Sequence, residues 1–225
     1  MEVPLLALAA LVLVAVTLLY VLLGGSGKAP PAVLLLGPCG GGKTLLFHRL
    51  TEGAVVESVT SMAASEGRVA LAGGGGRAVV DFPGHPRLRQ SLAAALERSV
   101  GVVFCFDASD AAATAKAAAE LLYAVLTAEK CGAPILVLCT KADSGAPVKS
   151  PARARLMLSN ELETLRKTAS ANASLGEAGP AKALLGKPGQ FFSFESHAPC
   201  DVSFEAFSGK TGDLDAVRAF IAGCE

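Results

Sequence analysis

A glycine-rich stretch that ends in lysine and threonine has the composition of a phosphate-binding loop. Residues 37–44 read Gly-Pro-Cys-Gly-Gly-Gly-Lys-Thr and satisfy the pattern G-x-x-x-x-G-K-S/T. Lys43 would reach the β- and γ-phosphates of a nucleotide, and the Thr44 hydroxyl would be a ligand of Mg²⁺. The alternative is a glycine-rich turn, and the motif alone does not choose between ATP and GTP. The predicted cradle consists of Gly37, Pro38, Cys39, Gly40, Gly41, Gly42, Lys43, Thr44 and Leu45.

Two further segments supply candidates for the metal and the γ-phosphate. Asp81-Phe-Pro-Gly84 matches the element D-x-x-G, in which Asp81 would hold Mg²⁺ through a water molecule and the Gly84 N–H would meet the γ-phosphate. The element follows an apolar strand-like run, and ligands bind at strand ends in parallel sheets. Thr60 would complete the Mg²⁺ coordination, although the neighbouring Ser61 could fill the same role.

A tetrapeptide after another apolar run has the chemistry to read a guanine base. Thr140-Lys141-Ala142-Asp143 matches N/T-K-x-D, with Thr in place of the commoner Asn. Asp143 would accept hydrogen bonds from guanine N1–H and N2–H₂, which adenine cannot offer, and Lys141 would lie along the base and ribose. The alternative for these four residues alone is an exposed charged turn.

A second candidate for base recognition stands near the end of the chain. Ser208-Gly209-Lys210 matches the element S-A-K, with Gly at the middle position, and a backbone N–H there can meet guanine O6. This tripeptide alone is a weak signal. Four elements in this order, each after a predicted strand, together predict a site for GTP and Mg²⁺.

The elements that must position these motifs alternate between two patterns. Short apolar runs predict buried strands, and the segments between them have helical composition. We therefore predict an α/β P-loop small-GTPase fold, with a mostly parallel six-stranded sheet and helices on both faces. The runs that predict buried strands are Ala32–Leu36, Val100–Phe106 and Pro134–Cys139.

Other segments complete the predicted frame. Arg68–Leu71 and Ala78–Asp81 flank a glycine run and predict a hairpin. Ala152–Lys167 predicts a helix, and the Ala-, Ser-, Gly- and Pro-rich residues 168–189 predict a mobile loop. Phe191–Glu195 and Val202–Phe207 alternate apolar with polar residues and predict two strands that pair with each other.

Composition narrows the function classes. The 225-residue chain has 20 basic and 20 acidic residues, which argues against a direct nucleic-acid binder because such proteins usually carry a basic excess. No two of its six cysteines have C-x-x-C spacing, so a zinc site is not predicted. Cys105 and Cys139 fall inside apolar runs and are predicted core residues. A disulfide framework is not predicted, and the cysteine pattern is typical of a protein in a reducing compartment.

The N-terminal segment predicts a single membrane span. Leu5–Leu23 is uncharged and would measure about 28 Å as a helix, close to the bilayer core of about 30 Å. A cleaved signal peptide is the alternative, but residues 1–4 lack the basic residues that it requires. The positive-inside rule places the domain 32–225 in the cytosol, residues 1–4 on the lumenal side, and residues 24–31 as a short linker.

Taken together, these segments resemble one known family, the beta subunits of the signal recognition particle receptor. The resemblance covers essentially the whole chain. Its most specific parts are the N-terminal anchor and the stretch Asp81-Phe-Pro-Gly-His-Pro-Arg-Leu-Arg89. Gly37-Pro-Cys-Gly-Gly-Gly-Lys-Thr-Leu-Leu-Phe, Val59-Thr-Ser-Met and the tail from Leu185-Gly-Lys to Ser208-Gly-Lys also carry it.

The resemblance implies a function that composition and spacing do not. It implies a single-pass protein of the endoplasmic reticulum membrane whose GTP-bound form docks the receptor's alpha subunit for cotranslational protein targeting. The ribosome or the translocon is a further candidate partner. The alternative is a cycling regulatory GTPase of Arf or Sar type in membrane traffic, but those proteins use a myristoylated Gly or an amphipathic helix, and position 2 here is Glu.

His85 leaves the enzymatic character of the protein open. It follows Gly84, where many small GTPases place the Gln that orients the attacking water, and Sar-type GTPases also carry His there. The alternative is a switch residue that packs against the partner. Arg87 and Arg89 are nearby but form no obvious arginine finger, so hydrolysis is predicted to be slow or partner-dependent.

Overall fold

The computed structural model describes residues 11–16, 30–56, 63–71, 74–85, 91–128, 132–142, 150–174, 185–187 and 189–224. The chain divides into two compact units, Met1–Pro30 and Pro31–Glu225. In the first unit, residues 11–16 are helical. No helix among the described residues is long and apolar enough to cross a membrane. Most of the predicted span Leu5–Leu23 and of the predicted linker 24–31 lies outside the described residues.

The second unit is built on a six-stranded sheet with the strand order β2-β3-β1-β4-β5-β6. Neighbouring strands run parallel, except that β2 pairs antiparallel with β3 in a hairpin. The predicted mostly parallel sheet and its hairpin are thus confirmed. The strands are β1 Ala32–Leu36, β2 Ser65–Ala70, β3 Gly76–Asp81, β4 Ser99–Asp107, β5 Ile135–Thr140 and β6 Val202–Ala206.

Helices cover both faces of this sheet, as predicted. Alternate residues of each central strand point to opposite faces, so β1, β4 and β5 carry apolar residues on both faces and separate two hydrophobic clusters. One cluster includes residues of α2, α3 and α4, and the other includes residues of α1 and α6. The helices are α1 Lys43–Thr51, α2 Leu92–Glu97, α3 Ala111–Leu126, α4 Pro151–Ser174, α5 Phe194–His197 and α6 Asp215–Gly223.

Two local predictions were wrong. The helix α4 continues to Ser174, so the first residues of the predicted loop 168–189 are helical, in keeping with their alanine content. The predicted strand Phe191–Glu195 is instead an irregular segment that leads into the single-turn helix α5, and β6 pairs in parallel with β5. A window of four or five residues does not separate the helical period from that of a strand.

The strand order determines where a ligand can bind. β1 lies between β3 and β4, and the chain leaves β1 towards one side of the sheet before it returns to β4 on the other. Such a reversal opens a crevice at the carboxyl ends of the strands, which is where open α/β sheets bind ligands. The four motifs follow β1, β3, β5 and β6, and all of them therefore meet at this edge.

Candidate nucleotide-binding site

The loop between β1 and α1 is shaped by glycines that no other residue can replace without strain. Gly37, Gly40 and Gly42 have φ of 138°, 76° and 79°, in the region that L side chains rarely adopt. A Cβ added to Gly37 would also lie 2.2 Å from the Cys105 carbonyl oxygen in β4. The loop is therefore pressed against the central strand, and its glycines carry no side chain that would keep a ligand from the backbone N–H groups.

Lys43, at the start of α1, is folded back over this loop. It is only 7% exposed, and its Nζ donates a hydrogen bond to the Pro38 carbonyl oxygen at 2.8 Å. A buried ammonium at the amino end of a helix is a poor arrangement for stability alone, because desolvation of the charge is costly. In β4, close to this lysine, burial raises the pKa of the Cys105 thiol to about 12, so the thiol is neutral.

Thr44 and Asp81 bring two oxygen donors together beside the loop. The Thr44 hydroxyl donates to Asp81 Oδ2 at 2.7 Å, and Asp81, at the end of β3, is only 1% exposed. A hydroxyl and a carboxylate are the hard oxygen donors that Mg²⁺ prefers, together with water and phosphate. The residues present therefore fit the magnesium ion that the sequence predicts.

Gly84 lies directly against the phosphate loop. A Cβ at this position would come within 2.7 Å of the Gly37 carbonyl oxygen, 2.8 Å of Lys43 Nζ and 2.9 Å of the Cys39 amide nitrogen. Only glycine fits such a close approach. The adjacent His85 is half-buried, whereas Thr60, Ser61 and residues 86–90 lie outside the described residues.

Thr140 ties the loop after β5 to the phosphate loop. Its buried hydroxyl lies 3.0 Å from the Gly41 carbonyl oxygen and 3.2 Å from the Phe106 carbonyl oxygen, so that its one proton is shared between these two acceptors. A threonine in place of the commoner asparagine therefore still connects β4, β5 and the cradle. Asp143, the predicted guanine acceptor, lies outside the described residues.

Lys141 is held by an aspartate that the sequence did not single out. Lys141 has a positive φ of 56°, and its Nζ lies 2.6 Å from Asp107 Oδ2 at the end of β4. Burial alone would raise the pKa of the Asp107 carboxyl, but hydrogen bonds from Lys141 and Ser109 outweigh burial and lower that pKa. The signal that could have revealed Asp107 is its place directly after the apolar run 100–106.

The segment Ser208–Lys210 forms a closed turn next to α1. The Gly212 amide donates to the Ser208 carbonyl oxygen at 2.8 Å, and the Thr211 amide donates to Ser208 Oγ at 3.2 Å. A Cβ on Gly209 would lie 2.5 Å from Leu45 Cδ2. The turn thus packs on the residue that follows the G-K-S/T motif, and glycine at its middle position allows this contact.

These features together define a class of protein. A glycine-lined loop between β1 and α1, a buried lysine, a Thr–Asp pair and two loops after β5 and β6 meet at one sheet edge. The arrangement is that of a P-loop protein with the small-GTPase fold. The sequence model of the signal recognition particle receptor beta subunit matches residues 28–198. The chain belongs to this family, and the Arf/Sar alternative is not favoured.

Individual relatives agree with the family assignment. The chain is 38% identical over 201 residues to the mouse (Mus musculus) signal recognition particle receptor subunit beta, covering 86% of this chain and 74% of that protein. The solved structure of the mammalian SRP receptor superposes with a TM-score of 0.74 at 32% identity, over 86% of this chain and 100% of that one. The SRb-GTP/SRX complex from Chaetomium thermophilum has a TM-score of 0.62 at 20% identity, over 87% of this chain and 97% of that one, and supports the fold.

Proposed function

We propose that this protein binds GTP with Mg²⁺ and, in that state, docks the alpha subunit of the signal recognition particle receptor at the endoplasmic reticulum membrane for cotranslational protein targeting. The observation that carries the proposal is the carboxyl-edge site, where Lys43, Asp81 and Thr140 are buried around a glycine loop. The alpha subunit is proposed as the partner because the chain belongs to the beta-subunit family. The Chaetomium thermophilum relative was solved as an SRb-GTP/SRX complex, which supports a guanine nucleotide for this chain.

The proposed nucleotide contacts follow the geometry of the site. The backbone of the cradle 37–44 and Lys43 would bind the phosphates, with α1 directing its positive amino end towards them. Thr44 would hold Mg²⁺ directly, Asp81 would hold it through water, and Thr60 or Ser61 would complete its coordination. The ion would supply charge neutralisation on the phosphate oxygens.

The base contacts rest on two loops. Thr140, Lys141 and Asp143 would form one side of the guanine site, with Asp143 as the acceptor that adenine cannot satisfy. The turn Ser208–Lys210 would meet the O6 edge. Asp107 would support this side of the site, because its Oδ2 lies 2.6 Å from Nζ of Lys141, two residues before Asp143 in the chain.

The role proposed for the bound nucleotide is to order the surface that docks the alpha subunit, which would be formed by the segments around Thr60 and residues 84–89. Gly84 touches the phosphate loop, so a nucleotide in that loop would determine the position of the segment that follows it. His85 would orient the attacking water only if it reaches the γ-phosphate, and we propose that hydrolysis by the isolated subunit is slow. Single-turnover hydrolysis of GTP with and without the alpha subunit measures this directly, and rapid turnover by the isolated chain would contradict the proposal.

Docking is tested by capture of the alpha subunit on the full chain loaded with GTP, GDP or ATP. We expect capture with GTP, little with GDP, and none above background with ATP. Equal capture with GTP and GDP would overturn the proposal that docking depends on bound GTP. Tighter binding of ATP than of GTP would overturn the assignment of guanine as the recognised base. Capture of ribosomes or translocon components in the same assay would add them as partners.

Membrane insertion is a separate proposal and needs its own test. The full chain synthesised with microsomes should remain in the membrane after alkaline extraction, with its domain 32–225 open to added protease. The sequon Asn172-Ala-Ser174 should then carry no glycan, because a cytosolic domain does not meet the glycosylation machinery. Glycosylation of Asn172 would reverse the proposed topology.

A further inference from the structure

Arg49 connects the helix that begins at the phosphate loop with the turn proposed to meet the base. It lies in the second turn of α1, and its NH1 donates to the Gly209 carbonyl oxygen at 3.0 Å and, more weakly, to the Ser208 carbonyl oxygen at 3.4 Å. The residues are 159 and 160 positions apart in the chain. None of the motifs found in the sequence includes Arg49.

The guanidinium has a second contact that fixes its position. Its carbon lies 5.9 Å from the centre of the Phe207 ring, within the range of a cation–π contact. Phe207 is buried, and its amide donates to the Cys139 carbonyl oxygen at 2.9 Å, while its own carbonyl oxygen accepts from the Ala142 amide at 3.3 Å. Arg49 therefore rests on the residue that links the two base loops.

The direction of the Ser208 and Gly209 carbonyl groups explains how the contact with Arg49 affects the neighbouring N–H groups. In a planar trans peptide, the C=O of one residue and the N–H of the next point in opposite directions. Because the Ser208 and Gly209 carbonyl groups point at Arg49, the N–H groups of Gly209 and Lys210 point away from α1. Those are the donors that could meet the guanine O6.

From these contacts we infer that Arg49 is a positioning residue for base recognition. It holds two carbonyl groups so that the following N–H groups face the O6 of guanine, and it transmits the position of the phosphate-binding helix to the base loop. This inference rests on the guanine site proposed above and adds to it a residue outside the four motifs.

The test compares three nucleotides that differ at single positions of the base. GDP, 6-thio-GDP, which has sulfur in place of O6, and IDP, which lacks the N2 amino group, are titrated against the full chain and the variant Arg49→Met. We expect Arg49→Met to lose about tenfold in GDP affinity, the order expected for a hydrogen bond that involves a charged group. The preference for GDP over 6-thio-GDP should shrink, while the preference for GDP over IDP should not change.

Arg155→Met is the matched control, because Arg155 also rests on a phenylalanine ring, 4.9 Å from the centre of Phe204 in β6. It should leave all three affinities unchanged. An equal loss for all three nucleotides in Arg49→Met would show a general structural role and overturn the inference. Failure of the unmodified chain to bind GDP would instead overturn the proposed function.

A conservative variant keeps the test decisive if Arg49→Met does not fold. Arg49→Lys retains the positive charge but replaces the planar donor fork, so it should show a smaller shift of the same preference. Thermal unfolding without nucleotide identifies folded variants. A folded Arg49→Lys chain with the unmodified ratio of GDP to 6-thio-GDP affinity, and the unmodified GDP affinity, would contradict the inference.

Discussion

Two clusters of buried polar side chains differ in the partners of their hydrogen bonds. The carboxyl-edge cluster is Lys43, Asp81, Asp107 and Thr140, and the helix-side cluster is Glu163, Arg166 and His197. All seven residues are at most 8% exposed. Burial of charge therefore does not by itself distinguish a binding site from a structural network.

The side chains of the helix-side cluster bond to one another and to backbone groups of the segment that packs beside them. Glu163 on α4 lies 2.7 Å from Arg166 and accepts a hydrogen bond from the Phe192 amide at 3.0 Å. Arg166 donates to the carbonyl oxygens of Lys187, at 2.9 Å, and Gln190. His197 Nδ1 accepts from the Ser193 amide at 3.1 Å. The bonds of Glu163 and Arg166 fasten Lys187, Gln190 and Phe192 to α4. The bond of His197 closes the turn of α5, so all of these bonds are structural.

The carboxyl-edge cluster instead surrounds a loop of small residues that presents its backbone. Lys43 and Thr140 bond to carbonyl oxygens of that loop, and Gly84 touches it where no side chain would fit. Buried charge therefore marks a candidate site when it gathers around the backbone of a glycine loop at a sheet edge. Four substitutions and a change of pH test this difference between the two clusters.

The largest effect is expected from Lys43→Met. The variant removes the buried ammonium and should weaken GTP binding about 100-fold, since a hydrogen bond between charged groups is worth about 1.5–3 kcal/mol and 1.4 kcal/mol is tenfold. Isothermal titration measures the affinity, and the rise in Tm on adding a given concentration of GTP should shrink. A variant that still binds GTP as tightly as the unmodified chain would remove Lys43 from the site.

Glu163→Gln should affect stability and leave nucleotide binding unchanged. Losing one partner of a buried ion pair commonly costs about 3 kcal/mol in the free energy of unfolding, because Arg166 keeps its charge without its carboxylate. Urea denaturation measures this loss, and GTP titration of the folded variant is the control. A loss of GTP affinity together with unchanged stability would assign the helix-side cluster to a site.

The same carboxylate predicts a dependence on pH. Burial alone would raise the pKa of Glu163, but the Phe192 amide and the charges of Arg166 and Lys167 outweigh burial and lower that pKa. A lowered pKa stabilises the fold above the unfolded value of 4.5 and loses this contribution as pH falls through the folded value. The stability difference between the unmodified chain and Glu163→Gln should therefore be largest near neutral pH and shrink below about pH 4.5. A difference that grows in acid would contradict this cause.

A smaller effect is expected from Thr140→Val. The substitution keeps the shape of the side chain but removes the hydroxyl that donates to the Gly41 and Phe106 carbonyl oxygens. We expect a loss of about 1–2 kcal/mol in the free energy of unfolding, with weaker GTP binding because the phosphate loop is less constrained. Thr140→Ser, which retains the donor, is the control and should recover most of the GTP affinity.

The smallest effect is expected from Gly209→Ala. The added Cβ would clash with Leu45 Cδ2 and lie in ordinary contact with Leu45 Cγ. Cδ2 is the far end of a half-buried side chain, which can turn aside at a cost of about 1 kcal/mol. Nucleotide affinity should change less than in Lys43→Met or Thr140→Val. Gly37→Ala is the contrasting control, because there the Cβ would meet backbone at 2.2 Å and φ is 138°, so the loop cannot keep its shape. Equal effects of the two substitutions would contradict the close packing described for the cradle.

Much of the fold was predictable because it depends on local patterns. The apolar runs of β1, β4 and β5 have the composition of strands buried on both faces, and the glycine run between β2 and β3 marks the hairpin. Four motifs at strand ends must meet at one edge if the sheet is parallel. Where two secondary structures share a pattern, as in the phenylalanine-rich segment before His197, the interpretation was wrong.

The identity and order of the residues around the site could be predicted from the sequence alone, because each motif is a short pattern of neighbouring residues. The partners of those residues were decided by tertiary structure. Asp107 meets Lys141, and Arg49 meets Ser208 and Gly209, only because the order of strands places β4 beside β5 and packs α1 against the turn after β6. Contacts between residues this far apart in the chain leave no periodicity or spacing, so only the folded arrangement reveals them.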